Sequence, residues 1–197
     1  MPQQPSTTRF ITSYADPTEI PAGGLPQVAF LGRSNAGKSS LINALTGIKK
    51  LAHVSATPGR TQLVNIFEVE GAFQLVDLPG YGFAKGSRTQ REQMAERIYG
   101  YLRSARSLRL VVLIIDSRLG PTPADQAMIE QLQYATIPLI LVVNKVDKLS
   151  RLELTQRMGA VQAAYPGVTV IAHSTITGVG KDALMQAIRD RLAEESV

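Results

Sequence analysis

Residues 27–45 read QVAFLGRSNAGKSSLINAL: an apolar strand pattern at 27–31, a GxxxxGKS loop at 32–39 and a helix-like stretch behind it. A strand that ends in such a loop and turns into a helix aims several backbone N–H groups, and the positive end of the helix dipole, at one spot. A polyphosphate fits that spot. Gly32 and Gly37 allow a close backbone approach that a Cβ would block, with Arg33, Ser34, Asn35 and Ala36 forming the rest of the cradle. Lys38 can reach the β and γ phosphates, and the Ser39 hydroxyl can take a Mg²⁺ position. A plain glycine-rich turn would explain the glycines but not the strand before them and the helix after.

Outward from this loop, apolar runs alternate with amphipathic helical patterns to the end of the chain. Strands are expected near 63–69, 73–77, 109–115, 138–143 and 168–172, and helices near 89–105, 123–134, 150–164 and 179–194. That alternation predicts an α/β fold with a parallel-rich sheet covered on both faces. The short turn at Glu70 and Gly71 predicts an antiparallel hairpin and therefore a mixed sheet. Residues 1–26, rich in Pro, Thr, Gly and Gln, are expected as an extension packing on or trailing from a single domain at 27–197. Two loops, 47–62 and 79–88, are long without a pattern of their own, a property of functional or mobile segments.

With 197 residues and 44% apolar content, the chain can fill one core but not two comfortable ones. The absence of cysteine excludes disulfides, thiolate metal sites and a cysteine nucleophile. The longest apolar runs, LVVLII before Asp116 and IPLILVV before Asn144, fall far short of the roughly 20 residues of a membrane span. The N-terminal stretch lacks the apolar segment of a secretion signal, so a cytoplasmic protein with no membrane partner, and a monomer, is the expectation. The net charge of +5 is unevenly placed. Of 21 basic and 16 acidic side chains, seven basic (Lys85, Arg88, Arg91, Arg97, Arg103, Arg106, Arg109) and two acidic (Glu92, Glu96) lie between Lys85 and Arg109, leaving fourteen of each elsewhere.

Three further motifs follow strand ends. Asp77-Leu78-Pro79-Gly80 places a carboxylate where it can hold Mg²⁺ through water, and the Gly80 N–H where it can meet a γ phosphate. Asn144-Lys145-Val146-Asp147 lies at a C-terminal strand edge, where open α/β sheets bind ligands. There an Asp carboxylate accepts two hydrogen bonds from guanine N1–H and its 2-amino group, which adenine cannot offer; Asn144 would brace the phosphate loop and the Lys145 stem cover the base. His173-Ser174-Thr175 follows the next strand and could give a backbone N–H to the guanine carbonyl. In the first long loop, Thr57 and Thr61 could each complete Mg²⁺ coordination, and spacing does not choose between them. Thr57 precedes a proline, whereas Thr61 abuts the following strand and is the better anchored.

Together the strings GRSNAGKSSLINAL, TPGRTQLVNIF, VDLPGYGFAK, IIDSR and NKVDKL resemble the EngB (YihA/YsxC) family of bacterial GTP-binding proteins, in the translation-factor-related class of P-loop GTPases, over essentially the whole chain. The resemblance implies a Ras-like fold with a six-stranded mixed sheet, GTP/GDP binding with Mg²⁺, and a role in assembling the large ribosomal subunit, with cell division affected when the protein is missing. It implies phosphate contacts from residues 32–39, Mg²⁺ on Ser39, Thr61 and Asp77, and a first switch formed by Gly59, Arg60, Thr61, Gln62 and Leu63. Residues 77–80 become the second switch, and 144–147 with 173–175 the base site; Lys38, Thr61 and Gly80 act at the reacting phosphate. His173 departs from the usual family pattern.

Tyr81 follows the DxxG glycine, where many Ras-like proteins carry a water-orienting Gln. A phenol with a pKa of about 10 is a poor base at neutral pH, so slow intrinsic hydrolysis is expected. Asn35 resembles a position that helps bind K⁺ in related GTPases, and a loop-stabilising role explains it equally well. The basic segment follows the second switch, so its arginines could present a state-dependent surface to rRNA of the large subunit or its precursor. Met94, Ile98, Tyr101, Leu102 and Ala105 form an inward stripe that leaves Arg91, Arg103 and Arg106 for phosphates. An enzyme such as a small ATPase or nucleotide kinase, with turnover as its purpose, is the alternative class; the NKxD motif argues against its adenine form.

Overall fold

The computed structural model describes residues 8–16, 19–21, 23–47, 63–81 and 88–194. Within them the chain runs β1 (Thr8–Tyr14), β2 (Gln27–Gly32), α1 (Lys38–Thr46), β3 (Val64–Val69), β4 (Phe73–Asp77), α2 (Arg88–Ser104), β5 (Leu108–Asp116), α3 (Pro123–Tyr134), β6 (Leu139–Asn144), α4 (Arg151–Ala164), β7 (Thr169–His173) and α5 (Lys181–Glu194). The strands form one sheet in the order β1-β3-β4-β2-β5-β6-β7. The pairs β1/β3 and β3/β4 are antiparallel and the rest parallel. The β3–β4 hairpin turns at Glu70 (φ 55°) and Gly71 (φ 66°), the two left-handed residues that a tight hairpin turn demands.

The expected six-stranded sheet is corrected to seven: residues 8–14, read as part of an extension, pair along β3 as an edge strand. Their sequence hides this. The register shifts between Phe10 and Thr12, so Phe10 and Ile11 stay largely exposed and the clean alternation of a half-buried strand is lost. Arg9 pairs with Glu68 and Ser13 with Asn65 across the strands.

Alternate residues of each central strand feed opposite cores. Val28 and Phe30 of β2 pack with Leu41, Ile42 and Leu45 of α1 and Leu184 and Ile188 of α5. Ala29 and Leu31 face the other way, into a cluster holding Ile98 and Tyr101 of α2, Met128, Ile129 and Leu132 of α3, and Val161 of α4. Both sheet faces are therefore covered, and the loops at the C-terminal ends of β2, β4, β5, β6 and β7 converge on one edge. Among the described residues no helix is long and apolar enough to cross a membrane.

Candidate guanine nucleotide site

The phosphate loop hangs between β2 and α1, with Asn35 (φ 67°) and Gly37 (φ 99°) in left-handed backbone. A Cβ on Gly37 would run into the side-chain amide of Asn144, so glycine there is required by space as well as by conformation. Lys38 and Asp77 are both buried, and their ammonium and carboxylate pair directly. The parallel register of β2 and β4 sets Asp77 beside Phe30, at the root of the loop. These are the two charges that a triphosphate and its metal would address. The Ser39 hydroxyl and the Asp77 carboxylate are hard oxygen donors of the type Mg²⁺ prefers, and no cluster of three His, Asp or Glu among the described residues offers another metal site.

After Asp77 the backbone folds onto the loop. The Leu78 N–H donates to Phe30 O (3.2 Å), the Tyr81 N–H to Gly32 O (3.3 Å) and the Ser34 N–H to Tyr81 O (3.1 Å), which fixes Pro79 and Gly80 between them. The Tyr81 side chain turns away: its hydroxyl is buried and donates to Asp125 Oδ1 at 2.8 Å. The other Asp125 oxygen accepts from the Thr122 N–H (2.9 Å) and hydroxyl (2.7 Å), the capping box of α3. Burial, and then the Asp125 carboxylate, push the phenol well above its ordinary range. Tyr81 thus supplies no base to the phosphate side.

The opposite half of the site is built from strand ends in register. Asp116, Asn144 and His173 stand side by side at the ends of β5, β6 and β7. Asn144 Nδ2 donates to Ala36 O (2.9 Å), and Asn144 Oδ1 lies 2.8 Å from His173 Nδ1. Because that oxygen only accepts, the histidine proton sits on Nδ1. His173 is fully buried, and burial lowers its pKa, so the ring is neutral. Its Nε2 has no hydrogen-bond partner among the described residues.

Asp147 is aimed by Ser174, whose hydroxyl donates to Asp147 Oδ1 at 2.6 Å and accepts from the Ile176 and Thr177 N–H groups at 3.2 Å each. The Ser174 bond is the main cause holding the Asp147 carboxyl below its usual range. Ser174 spends its own N–H on Val179 O. Of the expected trio, His173 and Ser174 therefore face inward and Thr175 is exposed. Val146 is buried in the core. Lys145, in left-handed backbone (φ 64°), sends its ammonium to the Asn35 carbonyl and to Asp116 Oδ2 (2.8 Å). Asp116 and Ser117 thereby enter the site although their sequence carries no metal or catalytic spacing, while the exposed Arg118 pairs with Asp116 from outside it.

The expected first-switch residues Gly59, Arg60, Thr61 and Gln62, together with Thr57, lie outside the described residues, and Leu63 is exposed just before β3. On α2 the inward stripe is present: Ile98 and Tyr101 are fully buried, with Met94, Leu102 and Ala105 packed on the same cluster. Arg103 and Arg106 are exposed. Lys85 and the side chains of Arg88 and Arg91 lie outside what the structure describes.

A family model described as 50S ribosome-binding GTPase matches residues 27–145. The chain is 43% identical over 192 residues to the probable GTP-binding protein EngB of Desulforamulus reducens, covering 95% of this chain and 94% of that one. It is 44% identical over 190 residues to the protein of the same description from Syntrophus aciditrophicus, covering 95% and 96%. The chain belongs to the EngB family of GTP-binding proteins. Its fold is the Ras-like P-loop GTPase fold: a crystal structure of a probable GTP-binding protein engB superposes with a TM-score of 0.71 at 24% identity, over 85% of this chain and 99% of the other. The fold is also that of Era in complex with MgGDPNP and nucleotides 1506-1542 of 16S ribosomal RNA, at a TM-score of 0.68 and 24% identity, over 83% of this chain and 55% of Era. GTP or GDP is therefore the ligand class of the family to which this site belongs.

Proposed function

We propose that this GTPase is a slow molecular switch whose GTP state is read by the large ribosomal subunit or its precursor, and whose loss disturbs cell division. The observation that carries the switch is Asp147 held by Ser174 on one side of the phosphate loop, with Lys38 and Asp77 paired on the other. Asp147 selects guanine; residues 32–39 hold the phosphates; Ser39 and Asp77, joined by Thr61, would hold Mg²⁺, which neutralises charge on the transferred phosphoryl group. Lys38 adds positive charge to the same oxygens, and the Gly80 N–H senses the γ phosphate. The burial of the Tyr81 hydroxyl against Asp125 supports a slow intrinsic rate, since this residue does not orient water.

The ribosomal assignment is supported by the description of the family and by the exposure of Arg103 and Arg106 on a helix that follows the second switch. Cosedimentation with large-subunit precursors should be stronger in GTP than in GDP and should fall steeply with salt. Equal binding in both nucleotides, or binding unaffected by R103A plus R106A, contradicts it. A K⁺ ion beside Asn35 would supply the missing activator; hydrolysis equal in K⁺ and Na⁺ excludes that role.

A further inference from the structure

Lys145 is gripped at both ends by two consecutive residues of β5 and its exit. Asp116 Oδ2 accepts from its ammonium at 2.8 Å, and the Ser117 hydroxyl donates to its backbone carbonyl at 2.9 Å. The Ser117 N–H donates to Asn144 O at 2.9 Å, so the same turn also fixes the residue before Lys145. Both anchors are buried, Ser117 completely. The parallel register that places Asp116 opposite Asn144 makes this arrangement a property of the sheet rather than of a loop. Lys145 in turn crosses to the Asn35 carbonyl, joining the base-side loop to the phosphate loop.

Asp116 is shared. The Arg118 Nε and Nη2 donate to its two oxygens at 2.9 and 2.7 Å, and the Arg118 N–H adds a third bond at 3.1 Å. Burial raises the carboxyl pKa, but the bonds from Arg118 and Lys145 outweigh it and hold the group well below the usual carboxylate range. A carboxylate with two cations on it does more than fill space. It holds the lysine ammonium that also reaches the Asn35 carbonyl, and this contact is separate from that of the half-exposed Arg118.

We propose that Asp116 is a positioning residue for nucleotide retention: through Lys145 it locks the base-side loop onto Asn35 and so sets how slowly a guanine nucleotide leaves. This rests on the reading that residues 144–147 hold the base, and the two can fail separately.

The test is the release rate of a fluorescent GDP analogue from the full chain, measured by stopped flow for wild type, D116N, K145A, the double variant and R118A. D116N should release the analogue about tenfold faster, the consequence of losing about 1.4 kcal/mol. The double variant should release no faster than K145A, because Asp116 acts through Lys145. R118A should not accelerate release, since Lys145 keeps the carboxylate. Additive effects in the double variant, or D116N release within twofold of wild type, overturn the proposal. Acceleration by R118A as large as that by K145A overturns it even if D116N does not fold. Failure of the underlying base reading shows elsewhere: D147N would then gain no xanthosine nucleotide binding, whatever Asp116 does.

Discussion

The two halves of the site are tied down in different ways. On the base side, three neighbouring strands end level with one another, and three of the proposed contact residues are held by others: Asn144 by His173 and Ala36, Lys145 by Asp116 and Ser117, Asp147 by Ser174. On the phosphate side, among the described residues, Lys38 and Asp77 pair with each other, and the residue after Gly80 is anchored to α3 through its own side chain. The lesson is a division of labour. Under the proposed function, selectivity rests on hydrogen bonds fixed at the strand ends, whereas the reacting groups are charges that a triphosphate and Mg²⁺ would reorganise.

That division can be broken from either side. The largest effect belongs to Asp147: D147N should lower the preference for GDP over the xanthosine nucleotide by a factor on the order of 10⁴, read by calorimetric titration, because a donor replaces the acceptor that guanine requires. Next is K38A, expected to slow single-turnover hydrolysis about 10²- to 10³-fold by removing a fixed positive charge from the phosphoryl oxygens.

Smaller effects sharpen the comparison. H173A leaves Asn144 Oδ1 buried with no partner and should cost about 1–3 kcal/mol in chemical unfolding. His173 also predicts a pH slope. Its folded-state pKa lies below the ordinary 6.5, so the unfolded chain binds the extra proton. Stability is full above pH 6.5 and is lost as pH falls from there through the lowered folded-state value. H173A should flatten that part of the profile. Y81F, the mildest change, should cost about 1 kcal/mol through the lost bond to Asp125, yet leave hydrolysis unchanged within error. A clear fall in hydrolysis would show that the hydroxyl reaches the water after all.

Much of this was legible in the sequence, for identifiable reasons. The β2–loop–α1 unit declares itself through glycine, lysine and serine at fixed spacing, and a parallel-rich sheet covered on both faces follows from apolar runs broken by helical periods. The β3–β4 turn is readable from a single Glu-Gly pair. The strand at residues 8–14 was not, because a shifted register leaves Phe10 and Ile11 outside the core. Asp116 was not, because a lone carboxylate after an apolar run acquires meaning only when β5 is aligned with β6. His173 is the intermediate case: its place after the strand beside the base loop is visible in the sequence, but its inward turn onto Asn144 is a fact of packing.

The claim that recognition and reaction are separate is tested most directly by the hydrolysis rate of D147N at saturating xanthosine triphosphate, compared with wild type at saturating GTP. Equal rates, within about twofold, are predicted, since the base-side half only holds the nucleotide. A rate lower by tenfold or more, with the triphosphate fully bound, would contradict the account by showing that the base-side contacts take part in the chemical step.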